Sequence, residues 1–283
     1  MRNGLFASAL LLAVMFPVLP LRAQTASRPQ AGAAQAVPDL SGIWEATIDL
    51  APGDRPRSDI CGEPACDGLL KRPLAHDVIV EAPQMLPWAE EKHKAAMEGV
   101  PEGIPFRREE ADLYFSACTP LGPSATMLAF FNAVEVRQFP DVVLLFFGGI
   151  AGEADHGVRR IYLDGRGHPP NLKPTWMGHS IGRYEGDTLV VDTIGIISIN
   201  GNRFLDLRGH PHTDALRLAE RFRRVDQKTL EYEVTIDDPK AYKNTWRIKI
   251  VREMAHSGPR FWDDSICEEL LQMGTHYGAE ARK

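Results

Sequence analysis

In the C-terminal half of this 283-residue chain, apolar side chains recur at every second position rather than every third or fourth. That is the period of a β-strand with one buried face. Phe131–Phe139 alternates in this way, and Asp141–Phe147 (DVVLLFF) is a nearly continuous apolar run, as expected of a strand covered on both faces. Gly157–Leu163 follows and is closed by an Asp164-Gly165 turn. Gly178–Tyr184 and Thr188–Ile194 form a hairpin through Glu185-Gly186-Asp187, and Leu216–Arg224 forms a second with Thr229–Ile236. Trp246–Val251 supplies the last strand, and Asp39–Glu45 an early one.

About eight or nine strands with Gly/Asp turns make a mainly β protein. An antiparallel meander of that size hides its edges by closing into a barrel or folding into a sandwich, and we expect the barrel. An eight-stranded barrel has an interior that can hold one small ligand. One short helix interrupts the pattern. Pro87–Glu98 (PWAEEKHKAAME) has Pro in its first turn, good helix formers within and Gly99 after it. The segments on either side, up to Pro123, read as long irregular connections.

The N-terminus has another character. Arg2, the apolar run Leu5–Leu19 and Leu21-Arg22-Ala23 make a signal peptide over residues 1–23, too short for a membrane span of about 20 apolar residues. Residues 24–37 are Ala, Gln and Pro with few large apolar groups, a composition that reads as a disordered linker. A single β-barrel domain then occupies 38–283, in the periplasm or secreted. In an oxidising compartment Cys61, Cys66, Cys118 and Cys267 are expected as two disulfides. Cys61 and Cys66 flank a short Gly/Pro-containing loop and pair most simply with each other, which leaves Cys118 for Cys267. Closing that long loop is worth about 4 kcal/mol. The rival, a zinc site, lacks a C-x-x-C pair. The net charge of −6 argues against nucleic acid, which demands a basic face. No stable membrane insertion is expected, and the oligomeric state is not written in the sequence.

Gly42-Ile43-Trp44 resembles the Gly-x-Trp signature of lipocalin-like barrels. The segments RRIYLDGRGHP, PTWMGHSIGRYEGDTLVVDT, GHPHTDAL, ERFRRVD and TIDDPKAY, spread from Arg159 to Trp246, resemble those of a large group of exported bacterial proteins. Similar exported proteins of aromatic-degrading bacteria are associated with lyase chemistry on lignin-derived dimers. The resemblance therefore implies a lipocalin-like barrel and, as a class of reaction, a lyase.

Candidate chemistry lies where polar residues share a face with apolar ones. Glu220 alternates with Leu216, Leu218 and Phe222 and points inward, either as half of a buried Glu–Arg pair or as an acid–base group with a burial-raised pKa. His179 follows Trp176 and Gly178, and Asp192 of VVDT is placed to face it across the hairpin. Core histidines bonded to a carbonyl look the same. His210-Pro211-His212, with Asp214 and His168, has the composition of a metal set, but Gly-His-Pro is ordinary turn chemistry and no metal is expected. His212 is kept as a further acid–base candidate. If Arg160 and Tyr162 face inward they hold a carboxylate or phenolate, with Trp176 and Phe222 as aromatic walls. No phosphate loop or dinucleotide fingerprint is present, so no cofactor is expected.

Three functions remain. The first is a cofactor-independent lyase or isomerase moving a proton among His179, Asp192 and Glu220 on a small hydrophobic or aromatic substrate. The second is a non-catalytic carrier of such a molecule. The third is an envelope protein whose interior is filled by Phe146, Phe147, Phe222 and Tyr232. The enzyme requires His179, His212 and Glu220 around one pocket.

Overall fold

The early strand Gly42–Ala46 (β1) joins the two ends of a long sheet. The computed structural model describes residues 37–46, 77–98, 120–128, 132–149, 158–198, 203–206 and 208–255. The expected signal peptide, most of the linker and all four cysteines lie outside these residues. The other elements are β2 (Asp77–Glu81), α1 (Pro87–Met97), α2 (Pro123–Leu128), β3 (Asn132–Gln138), β4 (Val142–Gly149), β5 (Val158–Tyr162) and β6 (His179–Glu185). They continue with β7 (Thr188–Ile194), β8 (Arg203–Phe204), β9 (Pro211–His212), β10 (Arg217–Arg224), β11 (Thr229–Asp237) and β12 (Trp246–Met254).

Nine strands form a closed ring in the order β1-β3-β4-β5-β6-β7-β10-β11-β12, and β12 returns to β1. Trp44 marks the closure, pairing with Val134 of β3 on one side and Met254 of β12 on the other. Its ring is wholly buried and its indole N–H donates to the Leu40 carbonyl at 2.9 Å. β2 lies along the earlier part of β12, pairing at Ile79–Ile248, and β8 and β9 make a separate two-stranded ladder. Closure removes the exposed edges an open meander would leave.

The barrel is antiparallel except for β5 and β6, which run parallel through Ile161–Ser180 and Tyr162–Ile181. A parallel pair cannot be joined by a tight turn, so residues 163–178 must cross back over the barrel. That crossover brings His168 to its partner.

Alternation holds strictly along β10, β11 and β12, where every second side chain is buried. β4 departs from the expected two-faced burial. Val143, Leu145 and Phe147 are buried, whereas Val142, Leu144 and Phe146 on the outer face are half-buried. The expected helix is present over Pro87–Met97, anchored by Leu86 N–H to the Ala241 carbonyl (2.8 Å) and Trp88 Nε1 to the Lys240 carbonyl (2.8 Å). A second helix, α2, was not expected. Its PSATML sequence is buried throughout, which hides any amphipathic period.

Candidate active site

Two polar clusters lie on opposite sides of the barrel wall. Glu220 pairs with Val191 of β7, and Leu218 pairs with Thr193, so these side chains share the inner face. There Glu220 is completely buried. Oε1 accepts from Arg159 Nη1 (2.8 Å) and from the Tyr232 hydroxyl (2.8 Å), while Oε2 accepts from Arg159 Nη2 and from Thr193 Oγ1 (3.0 Å). Arg159 also donates to Ser180 Oγ (3.1 Å) and to Thr193 Oγ1 (2.8 Å). Burial disfavours the Arg159 charge, but Glu220 outweighs it and holds the guanidinium above its usual range. Burial, reinforced by Glu220, pushes the Tyr232 phenol well above its ordinary value. Nearby, burial pulls Arg252 down to about 10, while its Nη2 donates to the Met127 carbonyl.

This cluster has the form of the buried Glu–Arg pair rather than of an open acid–base site. Four donors occupy both carboxylate oxygens, and Phe222 packs at a tilt against Tyr232 with ring centroids 4.9 Å apart. Phe222 is thus core rather than a substrate wall.

The second cluster is outside. Ile181 pairs with Asp192, and Asp192 with Ala219, so Asp192 shares the outer face with His179, two residues before Ile181 on β6. Arg160 and Tyr162 are there too. The burial order along β5 is exposed, buried, exposed, buried, half-buried, which puts Arg159 and Ile161 inside and Arg160 and Tyr162 outside. The condition under which Arg160 and Tyr162 would hold an anion inside the barrel is therefore not met. Arg159 shares its face with Ile161, and apolar Ile161 decides which side is the core.

His179 and Asp192 do not touch directly in the way expected, because His168 stands between them. His168 Nδ1 lies 2.8 Å from His179 Nδ1. Its Nε2 lies 3.4 Å from Asp192 Oδ2, an electrostatic contact beyond ordinary hydrogen-bond range. Arg217 grips Asp192 with both arms, at 2.7 and 2.6 Å. Burial alone would raise the Asp192 pKa, yet Arg217 and His168 hold it below the usual range. The His179 ring stacks on Tyr162 at 5.4 Å, and Arg166 lies over that tyrosine at 4.0 Å while paired to Asp164. Burial, with His168 and Arg166 adding positive charge, lowers the His179 pKa from 6.5.

One proton pattern fits these contacts. In the tautomer that carries its proton on Nε2, toward the carboxylate, His168 presents Nδ1 as an acceptor. In that pattern His179 donates Nδ1–H and keeps its lone pair on Nε2. A low-pKa imidazole with a directed lone pair is a general base at neutral pH.

Local sequence aims His179. Gly178 has φ +65°, and a Cβ there would lie 2.8 Å from the Ile194 carbonyl oxygen. Gly178→Ala is expected to destabilise the protein by about 1–2 kcal/mol or more. Chemical denaturation would check this, with the His179 ring signals shifting in NMR spectra.

The remaining sites are dispersed. Trp176 is half-buried in the crossover, its carbonyl 3.4 Å from the Cβ position of Gly122. His212 lies on β9, its Nδ1 3.2 Å from the Thr213 carbonyl and its own carbonyl accepting from Ser198. His210 bonds Asp206 at 2.7 Å, stacks on His93 of α1 and packs at a tilt against Trp246, each at 4.8 Å. Asp206 also receives the backbone N–H groups of Arg208 and His210, so it staples the turn between β8 and β9. Glu220 on the inner face and His179 on the outer do not share a pocket, and the three-way proton path fails at the barrel wall. Among the described residues no cluster of three or more His, Cys, Asp or Glu has a metal-binding arrangement.

Comparison with known proteins finds no matching family model, curated relative or solved structure.

Proposed function

We propose that this protein is an exported, cofactor-independent enzyme, a lyase or isomerase that removes a proton from a small aromatic substrate on the outer face of its barrel. The observation that carries this reading is the Asp192–His168–His179 array, in which a proton on His168 Nε2 leaves the lone pair of His179 on Nε2. His179 takes the proton from carbon, and the released electron pair forms a new double bond. In a lyase the leaving group departs with its bonding pair. In an isomerase the proton returns at another carbon. Tyr162 supplies a ring beside the base, and half-buried Ile181 and Ile194 give the site an apolar floor. Glu220 in this account is scaffold, because both of its oxygens are already occupied. The carrier reading loses ground for the same reason, since Phe222, Tyr232 and Arg159 take up inward positions.

The test is proton exchange in deuterium oxide. Phenolic aryl-ether dimers incubated with the mature protein are expected to gain deuterium at an activated carbon or to cleave, read by mass spectrometry. Exchange that persists unchanged in His179→Gln would refute the assignment of the base.

A further inference from the structure

Resting on the outer-face reading above, we infer that the site takes an organic anion, an aromatic carboxylate or phenolate, whose charged group is held by Arg160. The parallel register of β5 and β6, Ile161 to Ser180 and Tyr162 to Ile181, places Arg160 next to His179 when continued by one residue. Both side chains stand on the outer face, as does Tyr162, two residues along the same strand. Strand neighbours are about 4.8 Å apart and alternate residues of one strand about 6.6 Å apart. Arg160, His179 and Tyr162 therefore bound an area the size of one aromatic ring.

Charge bookkeeping singles out Arg160. The other outward arginines of these neighbouring strands have carboxylate partners: Arg137 with Glu135, Arg183 with Glu185, Arg217 with Asp192, Arg221 with Glu185 and Arg223 with Asp187. Arg166 in the crossover is paired with Asp164. Arg160 is exposed and makes no ion pair among the described residues. Asp192 and Asp164, the carboxylates tied to this cluster, are each paired with an arginine, which offsets their charge toward an incoming anion. Asp141, at the turn before β4, lies at the Tyr162 end of β5 and acts on Arg166. A planar guanidinium with free donors suits a carboxylate bidentately and a phenolate singly. The ring attached to that anion meets Tyr162 and His179, whose own rings already stack.

Arg160 thereby gives the site a binding group and a preferred substrate charge beside its base. It is tested by titrating the mature protein with benzoate and, separately, with neutral benzyl alcohol, following the His179 ring signals by NMR. Benzoate is expected to shift those signals and to bind at least about 10-fold more tightly than the alcohol, a difference of about 1.4 kcal/mol. Arg160→Gln is expected to abolish that preference, and Arg160→Lys to restore part of it. Arg183→Gln, at the opposite end of β6, should leave it intact. His179→Gln, followed through the Tyr162 ring, should still bind benzoate, which separates loss of the anion site from loss of the base. Equal binding of the two probes by wild type, or an unaltered preference in Arg160→Gln, would overturn the assignment.

Discussion

Glu220→Gln is expected to destabilise the barrel by about 3–5 kcal/mol, because an amide in place of the carboxylate strands the Arg159 guanidinium in the interior. Arg159 and Glu220 have side-chain exposures of 1% and 0%, so water cannot take over the lost partner. The Tyr232 hydroxyl and Thr193 Oγ1 lose a charged acceptor as well. Chemical denaturation followed by circular dichroism measures the effect. Removing both charges at once, as in Arg159→Met with Glu220→Leu, should recover most of the loss, since paired apolar replacements avoid the uncompensated charge. A single Glu220→Gln variant as stable as wild type would show that this ion pair does not hold the barrel together.

The opposite pattern is expected at His179. His179→Gln should lower turnover by about 10²–10⁴-fold, the usual contribution of a general base, with little change in melting temperature. His179 is half-buried on the outer face, and its loss opens no core cavity. In the wild type, kcat/KM should be flat at neutral pH and fall on the acid side, with its half-point below 6.5, because burial, His168 and Arg166 all disfavour imidazolium. Stability follows the same sign. An imidazole whose folded pKa is depressed contributes fully above 6.5, and that contribution is lost as pH falls through the folded value. His168→Gln should weaken turnover less, since His179 remains while its link to Asp192 is cut.

The strand order of the C-terminal half was legible because one buried face imposes period two, and the closed barrel followed from the need to hide edges. Glu220 was legible as an inward charge by the same alternation. Its partner was legible too, since Arg159 shares parity with apolar Ile161. An inward Arg160 and Tyr162 would have required the register to slip by one residue, which exchanges every side chain between the two faces. His179 was harder, because β6 carries Ile181 on the outer face and Ser180 on the inner, so hydrophobicity points the wrong way. The His168–His179 contact had no sequence signal. It exists because β5 and β6 are parallel, and the crossover of residues 163–178 needed to join them lays His168 over β6 and β7. Helix α2 was hidden for a related reason, its six residues being buried on every side.

The proposed activity depends on a proton pattern at one imidazole, and the ring nitrogens of His179 report it directly. Two-bond ¹H–¹⁵N correlation spectra of the mature protein, recorded across the pH range, distinguish the tautomers without any substrate. The account predicts that His179 is neutral at pH 7, protonated on Nδ1 with its lone pair on Nε2, and that it titrates below 6.5. A proton on Nε2 at neutral pH, or a titration midpoint above 6.5, would contradict it.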